Sequence, residues 1–244
     1  MLLGYGKMGK VIERLALEKG HTIAARIDAD NRADLLPLTT EQVDVAIEFS
    51  QPDAVVPNLR FCLERRIPVV CGTTGWLEHK PAIEQLASQW GAAFFYASNY
   101  SIGVNLFFRL NKLLASWMNA YPQYEVSITE IHHTQKKDAP SGTAITLAEG
   151  LLDSLERKSA WVNHPSDTAD EIAIHSLRES NVPGTHTVCY DSPVDRLEIT
   201  HTAHNREGFA MGAVLAAEWL FSQAQAGRHG SFNMEDMLGN LATE

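Results

Sequence analysis

The first hundred residues alternate between two spacings of apolar positions, one helical and one strand-like. From about Lys7 to Lys19 the spacing is helical, with Val11, Ile12, Leu15 and Ala16 on one face. Thr22 to Ile27 and Val43 to Phe49 read as strands. Asp53 to Arg66 reads as a helix with Val56, Leu59 and Leu63 in register. Val69 to Cys71 is a β-rich run ending at Gly72, Ala82 to Trp90 is helical, and Ala93 to Tyr96 is a short apolar strand. Strands alternating with helices of about 10–15 residues predict βαβ units and a parallel sheet covered on both faces. This half is α/β, with a Rossmann-like parallel sheet.

The pattern then changes. After a long helix, about Val104 to Asn119, four segments alternate apolar and polar residues or carry strand-like runs: Tyr124 to Ile131, Glu171 to Leu177, Thr185 to Tyr190 and Arg196 to Thr202. Alternation of this kind marks strands with one buried and one wet face, so an open, mostly four-stranded sheet in a second α+β domain is expected. Phe209 to Gln223 is apolar around most of its circumference and predicts a buried helix packing back on the first domain. The domains are therefore drawn at 1–100 with 206–244, and at 101–205. No repeat or low-complexity tract interrupts them.

Composition narrows the function classes. A chain of 244 residues, 45% hydrophobic and 20% charged, is long enough for a substantial core and too apolar for a disordered protein. Its net charge of −10 argues against a nucleic-acid or membrane-surface binder. Cys62, Cys71 and Cys189 have no metal-type spacing and read as free thiols suited to a reducing compartment. There is no apolar run of the roughly 20 residues a membrane span needs. The start of the chain lacks the pattern of a signal peptide. Together these features predict a cytoplasmic protein.

Two motifs carry chemistry. Gly4-Tyr5-Gly6-Lys7-Met8-Gly9 fits G-x-G-x-x-G at the start of a helix. The first glycine permits a tight turn, the second lets backbone approach a pyrophosphate, and the third lets helix pack on strand. Asp28 follows Gly4 by 24 residues, where an acid hydrogen-bonds ribose hydroxyls and disfavours a 2′-phosphate. With Ala29 beside it, the pattern favours NADH over NADPH, while Arg26 and Arg32 temper that preference. The motif alone is also compatible with a ligand-free βα turn. Only Met1-Leu2-Leu3 precede Gly4, too short for a central first strand: either the strand is truncated or the chain begins a few residues downstream of the natural start, and a short or frayed strand with weakened cofactor binding is expected.

The second motif runs Glu130-Ile131-His132-His133-Thr134-Gln135-Lys136-Lys137-Asp138-Ala139-Pro140-Ser141-Gly142-Thr143-Ala144. Within it Ile131 to Lys137 holds two His, two Lys and no acid. Ser141 is a favourable N-cap for a helix from Ala144 to Leu155, and Gly142 and Thr143 offer backbone N–H groups at its start. Histidine can give or take a proton near neutral pH, so the stretch combines an anion cradle with titratable groups. Each piece also has a plain structural use, as a strand end, a solvated face or a cap. Their concentration beside a dinucleotide-type domain favours function. The other histidines lack metal-ligand spacing, so no metal is expected.

This motif closely resembles the signature of the dihydrodipicolinate reductase family, and the resemblance follows the whole chain. Gly72-Thr73-Thr74-Gly75 resembles the family's second nucleotide loop. Ser98-Asn99-Tyr100-Ser101, followed by Gly103-Val104-Asn105, resembles its third, and His201 to Gly212 with Arg206 resembles the return to the first domain. The resemblance implies an NAD(P)H-dependent reductase of a cyclic dicarboxylate in lysine and diaminopimelate biosynthesis. Nicotinamide would give hydride to C4 of an unsaturated ring formed by loss of the 4-hydroxyl as water.

By the same resemblance His132 is the general acid/base and Lys136 the second catalytic group. His133, Ser141, Gly142, Thr143 and Arg206 hold the substrate carboxylates. Gly4, Gly6, Lys7, Met8, Gly9, Asp28, Gly72, Thr73, Thr74, Ser98, Asn99, Tyr100 and Ser101 line the cofactor, with Ser50 a lesser candidate. Family members are typically homotetramers built through the open sheet. The first glycine loop here is one residue shorter than the family's common form. A catalytically silent dinucleotide sensor and a reductase of another small carboxylate remain the alternatives.

Overall fold

The structure, a computed structural model, describes residues 1–205 and 207–239. It divides into two compact units, one formed by Met1–Ser101 with the chain from Glu207, the other by the stretch beginning at Ile102.

The first unit holds a six-stranded sheet of β1 (Leu2–Leu3), β2 (Arg26–Ile27), β3 (Ala46–Glu48), β4 (Val69–Cys71), β5 (Ala93–Tyr96) and β11 (Gly230–Phe232), in the order β11-β5-β4-β3-β1-β2. Every pair is parallel. The helices are α1 (Lys7–Glu18), α2 (Pro52–Glu64), α3 (Lys80–Trp90), α6 (Glu207–Gln225) and α7 (Met234–Leu238). In α1 the helical spacing buries Ile12, Leu15 and Ala16. Proline at the start of α2 fits the first turn, where its missing N–H costs nothing, and α3 ends on Gly91 in the left-handed conformation. The face of α6 is built from Ala210, Ala213, Ala216 and Ala217, so this helix lies close against β3, β4, β5 and α1. The chain order reverses on either side of β1, which makes the carboxyl ends of β1 and β3 a topological switch point. Ligands of open α/β sheets bind in the crevice beyond such a point.

The first strand meets one expectation and corrects another. It is short, two residues, as expected, but it lies inside the sheet between β3 and β2 rather than at its margin. Leu2 and Leu3 are 2% and 0% exposed. Two residues suffice because both sides are bonded. The Leu2 and Gly4 N–H groups donate to Ala25 and Ile27, while Met1 and Leu3 carbonyls accept from Ile47 and Phe49. The expected strand from Thr22 shrinks to Arg26–Ile27 for the same reason. At the sheet edge β2 can pair only with β1, and β1 offers only two partners.

The second unit holds a mixed sheet of β6 (Glu125–His132), β7 (Ala160–Val162), β8 (Glu171–Arg178), β9 (Thr185–Asp191) and β10 (Arg196–Thr202), in the order β10-β9-β6-β8-β7. A short fifth strand, β7, thus joins the four expected. Helices α4 (Ile102–Met118) and α5 (Gly142–Leu152) supply the apolar cover, and their Phe107, Leu114, Leu147 and Leu151 pack with Val126, Ile128, Ile172 and Val188 of the strands. Along β6 the buried positions are Val126, Ile128, Glu130 and His132, every second residue, as one face of a strand requires. The apolar face therefore ends in a carboxylate and an imidazole. Among the described residues no helix is long and apolar enough to cross a membrane.

Candidate active site

In the first unit the glycine turn joins β1 to α1. Gly4 has φ +91, and a Cβ there would lie 2.2 Å from the Phe49 carbonyl oxygen. A Cβ on Gly9 would lie 2.3 Å from the Gly4 oxygen. Both positions therefore require glycine, one for conformation and space and the other for the approach of α1 to the turn. Gly6 differs: nothing lies within 4 Å of its Cβ direction, so its backbone is open to a ligand. No side chain caps α1 and no acid stands in its first turn, which leaves its N–H groups available to an anion. A cavity of about 240 Å³ is lined by Gly4, Gly6, Asp28, Arg32, Ser50 and Gln51, among others. Asp28 caps the following Ala29–Leu35 turn, accepting from Ala29 N–H at 3.0 Å, at the carboxyl end of β2. These residues fit the pyrophosphate and ribose of a dinucleotide.

The other cofactor candidates divide by environment. Lys7 and Thr74 are exposed, Ser98 is exposed, and Met8 is half-buried. Gly72 has no room for a side chain, since a Cβ would meet the Phe49 ring at 2.2 Å. Asn99 accepts from the Ser101 N–H at 2.9 Å and so shapes the loop after β5. Thr73 and Tyr100 turn inward. The Tyr100 hydroxyl donates to the Cys71 carbonyl at 2.7 Å, and burial raises it well above the ordinary phenol range. Thr73 donates to Glu48 at 2.7 Å and accepts from the Ser50 N–H at 2.9 Å. Glu48, fully buried, also receives Ser50 Oγ and the Asn58 amide at 3.3 Å. This internal carboxylate ties the loops after β3 and β4 together.

In the second unit the His-Lys-Ser motif starts on β6 and ends on α5. His132 is 7% exposed, and its Nδ1 is hydrogen-bonded to Glu130. Glu130 also accepts from Arg178 at 3.1 Å and from the Ser141 N–H at 3.3 Å. Burial works against its charge. Hydrogen bonds from His132 and Ser176, the His132 charge and Arg178 outweigh that and pull its carboxyl down to about 2. His186, directly opposite Glu130 on β9, packs edge-on against His132 with ring centroids 5.0 Å apart. Its Nε2 meets Ser141 Oγ at 3.0 Å. Burial first, then the neighbouring His132 charge, pushes His186 down to about 4, so it is neutral at neutral pH.

The start of α5 is built as the sequence implied. Ser141 accepts from Ala144 N–H at 3.2 Å, while the Gly142 and Thr143 N–H groups lie ahead of the first helical acceptor. Nothing lies within 4 Å of the Cβ direction at Gly142. Lys136 pairs with Asp138 at 2.7 Å, and this contact holds Asp138 below the usual carboxylate range. His133 lines an open cavity of about 420 Å³ with Gln135, Ser180, Asn181 and Pro183. Arg206 lies outside the described residues.

Glu130, Arg178 and His186 received no role in the sequence analysis. Glu130 could have been found, because it stands two residues before His132 on the same strand face. His186 and Arg178 could not, since only the strand register brings them there. Glu130, His132 and His186 present potential metal-ligand atoms within 4.8 Å of one another. Both Glu130 oxygens, His132 Nδ1 and His186 Nε2 already serve one another, Arg178 and Ser141.

Comparison with known proteins agrees with this layout. Residues 1–100 match the family model described as dihydrodipicolinate reductase, N-terminus, and residues 103–238 match the model for its C-terminus. The chain is 48% identical over 240 residues to a 4-hydroxy-tetrahydrodipicolinate reductase of Christiangramia forsetii, covering 98% of this chain and 97% of that one. It is 38% identical to one from Laribacter hongkongensis, covering 91% and 81%. Its fold resembles a dipicolinate-bound dihydrodipicolinate reductase from Paenisporosarcina sp. TG-14, with TM-score 0.70, 24% identity and coverage of 95% and 96%. The chain belongs to the dihydrodipicolinate reductase family.

Proposed function

We propose that the chain is an NAD(P)H-dependent reductase that converts 4-hydroxy-tetrahydrodipicolinate to tetrahydrodipicolinate and water in lysine and diaminopimelate biosynthesis. The observation that carries this reading is the joining of His132 to the uncovered N-terminus of α5 through one carboxylate, Glu130. A proton donor and a carboxylate cradle are thereby fixed to each other.

When bound, the nicotinamide supplies hydride to C4 of the dehydrated ring. The chain's own residues do the rest. His132 holds the proton that completes the reduction, and Lys136 is the second cation at the site. His133, Ser141 and the Gly142 and Thr143 N–H groups hold the substrate carboxylates, joined on resemblance by Arg206. On the cofactor side, Gly4, Gly6, Lys7, Met8, Gly9 and the loops 72–74 and 98–101 cradle the dinucleotide. Thr73 and Tyr100 contribute from within by shaping those loops.

NADH is the preferred cofactor, because Asp28 suits free ribose hydroxyls and repels a 2′-phosphate. NADPH is accepted more weakly, because Arg32 lines the same cavity. The working form is a homotetramer in the cytoplasm. Three free cysteines suit a reducing compartment, and β10 is an edge strand exposed along most of its length.

Pyridine-2,6-dicarboxylate, a planar dianion, tests the substrate assignment. It is expected to compete with the cyclic substrate in steady-state assays and to leave the KM for NADH unchanged. Failure to compete would favour a reductase of another small carboxylate.

A further inference from the structure

We propose that Glu130 is a positioning residue for the reduction: it holds the Nδ1–H of His132, so that the His132 Nε2, which faces Gly184, is the nitrogen that delivers the proton. This rests on the reading of His132 as proton donor and assigns a role to a residue outside the motif's catalytic pair.

The register explains why Glu130 can do this. Glu130 and His132 share one face of β6, two residues apart. Strand β8 runs parallel to β6 with Arg178 beside His132, and β9 runs antiparallel with His186 opposite Glu130. One Glu130 oxygen faces His132 Nδ1, and the other receives Arg178 and the Ser141 N–H. Arg178 is itself anchored, donating to the Leu177 and Asp138 carbonyls at 2.7 Å each. The carboxylate therefore cannot swing away, and it fixes three things at once: the imidazole, the start of α5 and the loop that carries Lys136.

A carboxylate is an acceptor only, so the ring nitrogen facing it carries a proton. In the protonated ring both nitrogens carry one, and only Nε2–H is free of Glu130. Transfer breaks the Nε2–H bond, the electron pair that hydride addition leaves on the substrate ring forms the new C–H bond, and a neutral imidazole remains with its Nδ1–H on Glu130. A proton taken up from solvent, the one the overall reduction consumes, then restores Nε2–H. The carboxylate orients the ring before transfer and selects the tautomer after it.

Gly184 closes the argument from the other side. A Cβ at that position would stand 3.0 Å from His132 Nε2 and 3.3 Å from Cδ2. This is tighter than nearly all such contacts, so a side chain there would press on the ring and shift it by a few tenths of an ångström, and the backbone at φ +157 also disfavours one.

The test is a double-mutant cycle with kcat, KM and NADH affinity measured together. Glu130→Gln keeps the shape and removes the charge. It should lower kcat by about a hundredfold, the scale of general acid catalysis, with KM and NADH affinity within about twofold. In a His132→Gln background the same change should cost almost nothing more, because Glu130 acts through that ring. Full additivity of the two losses, or wild-type kcat in Glu130→Gln, would overturn the proposal. Wild-type turnover in His132→Gln alone would instead overturn the proton-donor reading beneath it. Should Glu130→Gln fail to fold, Glu130→Asp decides: it keeps the charge but withdraws the carboxylate from Nδ1, so it should lower kcat at least tenfold with pyridine-2,6-dicarboxylate affinity unchanged, and unchanged kcat would refute the geometry.

Discussion

At the scale of single residues, charge at the site is set by neighbours. Lys136 and Lys137 are adjacent and chemically alike, yet Lys136 is partly buried against Asp138 while Lys137 is exposed. Lys136→Ala should cut kcat/KM by about a hundredfold or more, and Lys137→Ala should stay near wild type. Steady-state assays of the pair check this, and equal behaviour would contradict the role given to Lys136. His186 makes a second prediction, about stability. Its pKa falls from 6.5 to about 4 on folding, so between those values the unfolded chain binds more protons than the folded one. Stability from this group is complete above about pH 6.5 and is lost as pH falls towards 4, by up to about 3 kcal/mol. Denaturant melts across pH 4–7 should show that slope, flattened in His186→Asn. Within the motif the residue types were readable from sequence, as was the Ser141 cap. What was not readable is which side chains turn inward: Thr73 and Tyr100 sit in a polar loop pattern but serve the interior of the first unit.

At the scale of elements, pairing decided what local pattern could not. Segments with dense apolar spacing, such as α1, β4, β5 and α6, read correctly to within a few residues because burial of one face or stripe dictates their period. The short edge elements did not. Gly-Ser-Phe in β11 has little strand preference of its own and is a strand because it pairs with β5. Strand β7 likewise exists through its pairing with β8. Strand β1 shows the same effect in its length, since two residues bonded on both sides can hold the glycine turn firmly. The end of β2 carries a prediction about the cofactor. Asp28→Ala removes the acid beside Arg32, so the ratio of kcat/KM for NADH over NADPH should fall by about tenfold. Parallel assays with both cofactors read that ratio directly, and an unchanged ratio would separate Asp28 from cofactor choice.

At the scale of the whole molecule, a chain of net charge −10 is read as handling a dianion. The two agree because recognition needs only a local field. In the proposed reading that field comes from the acid-free run Ile131 to Lys137 and the N-terminus of α5, while the bulk charge bears on solubility and on polyanions. Each unit has its own sheet and core, and the proposed division of labour follows that architecture, with the dinucleotide assigned to the parallel sheet and the dicarboxylate to the mixed one. Family membership rests on matches that span residues 1–100 and 103–238, so both units are accounted for. The assembly should be a tetramer by light scattering at micromolar concentration, and a monomer would leave the exposed β10 edge without a partner. The most direct check of the reductase reading is the absorbance of NADH at its reduced-nicotinamide band during incubation with freshly formed 4-hydroxy-tetrahydrodipicolinate. Wild-type protein should consume NADH in proportion to substrate, and His132→Gln should bind NADH with little consumption. Tight NADH binding by the wild type with no loss of absorbance would contradict the account.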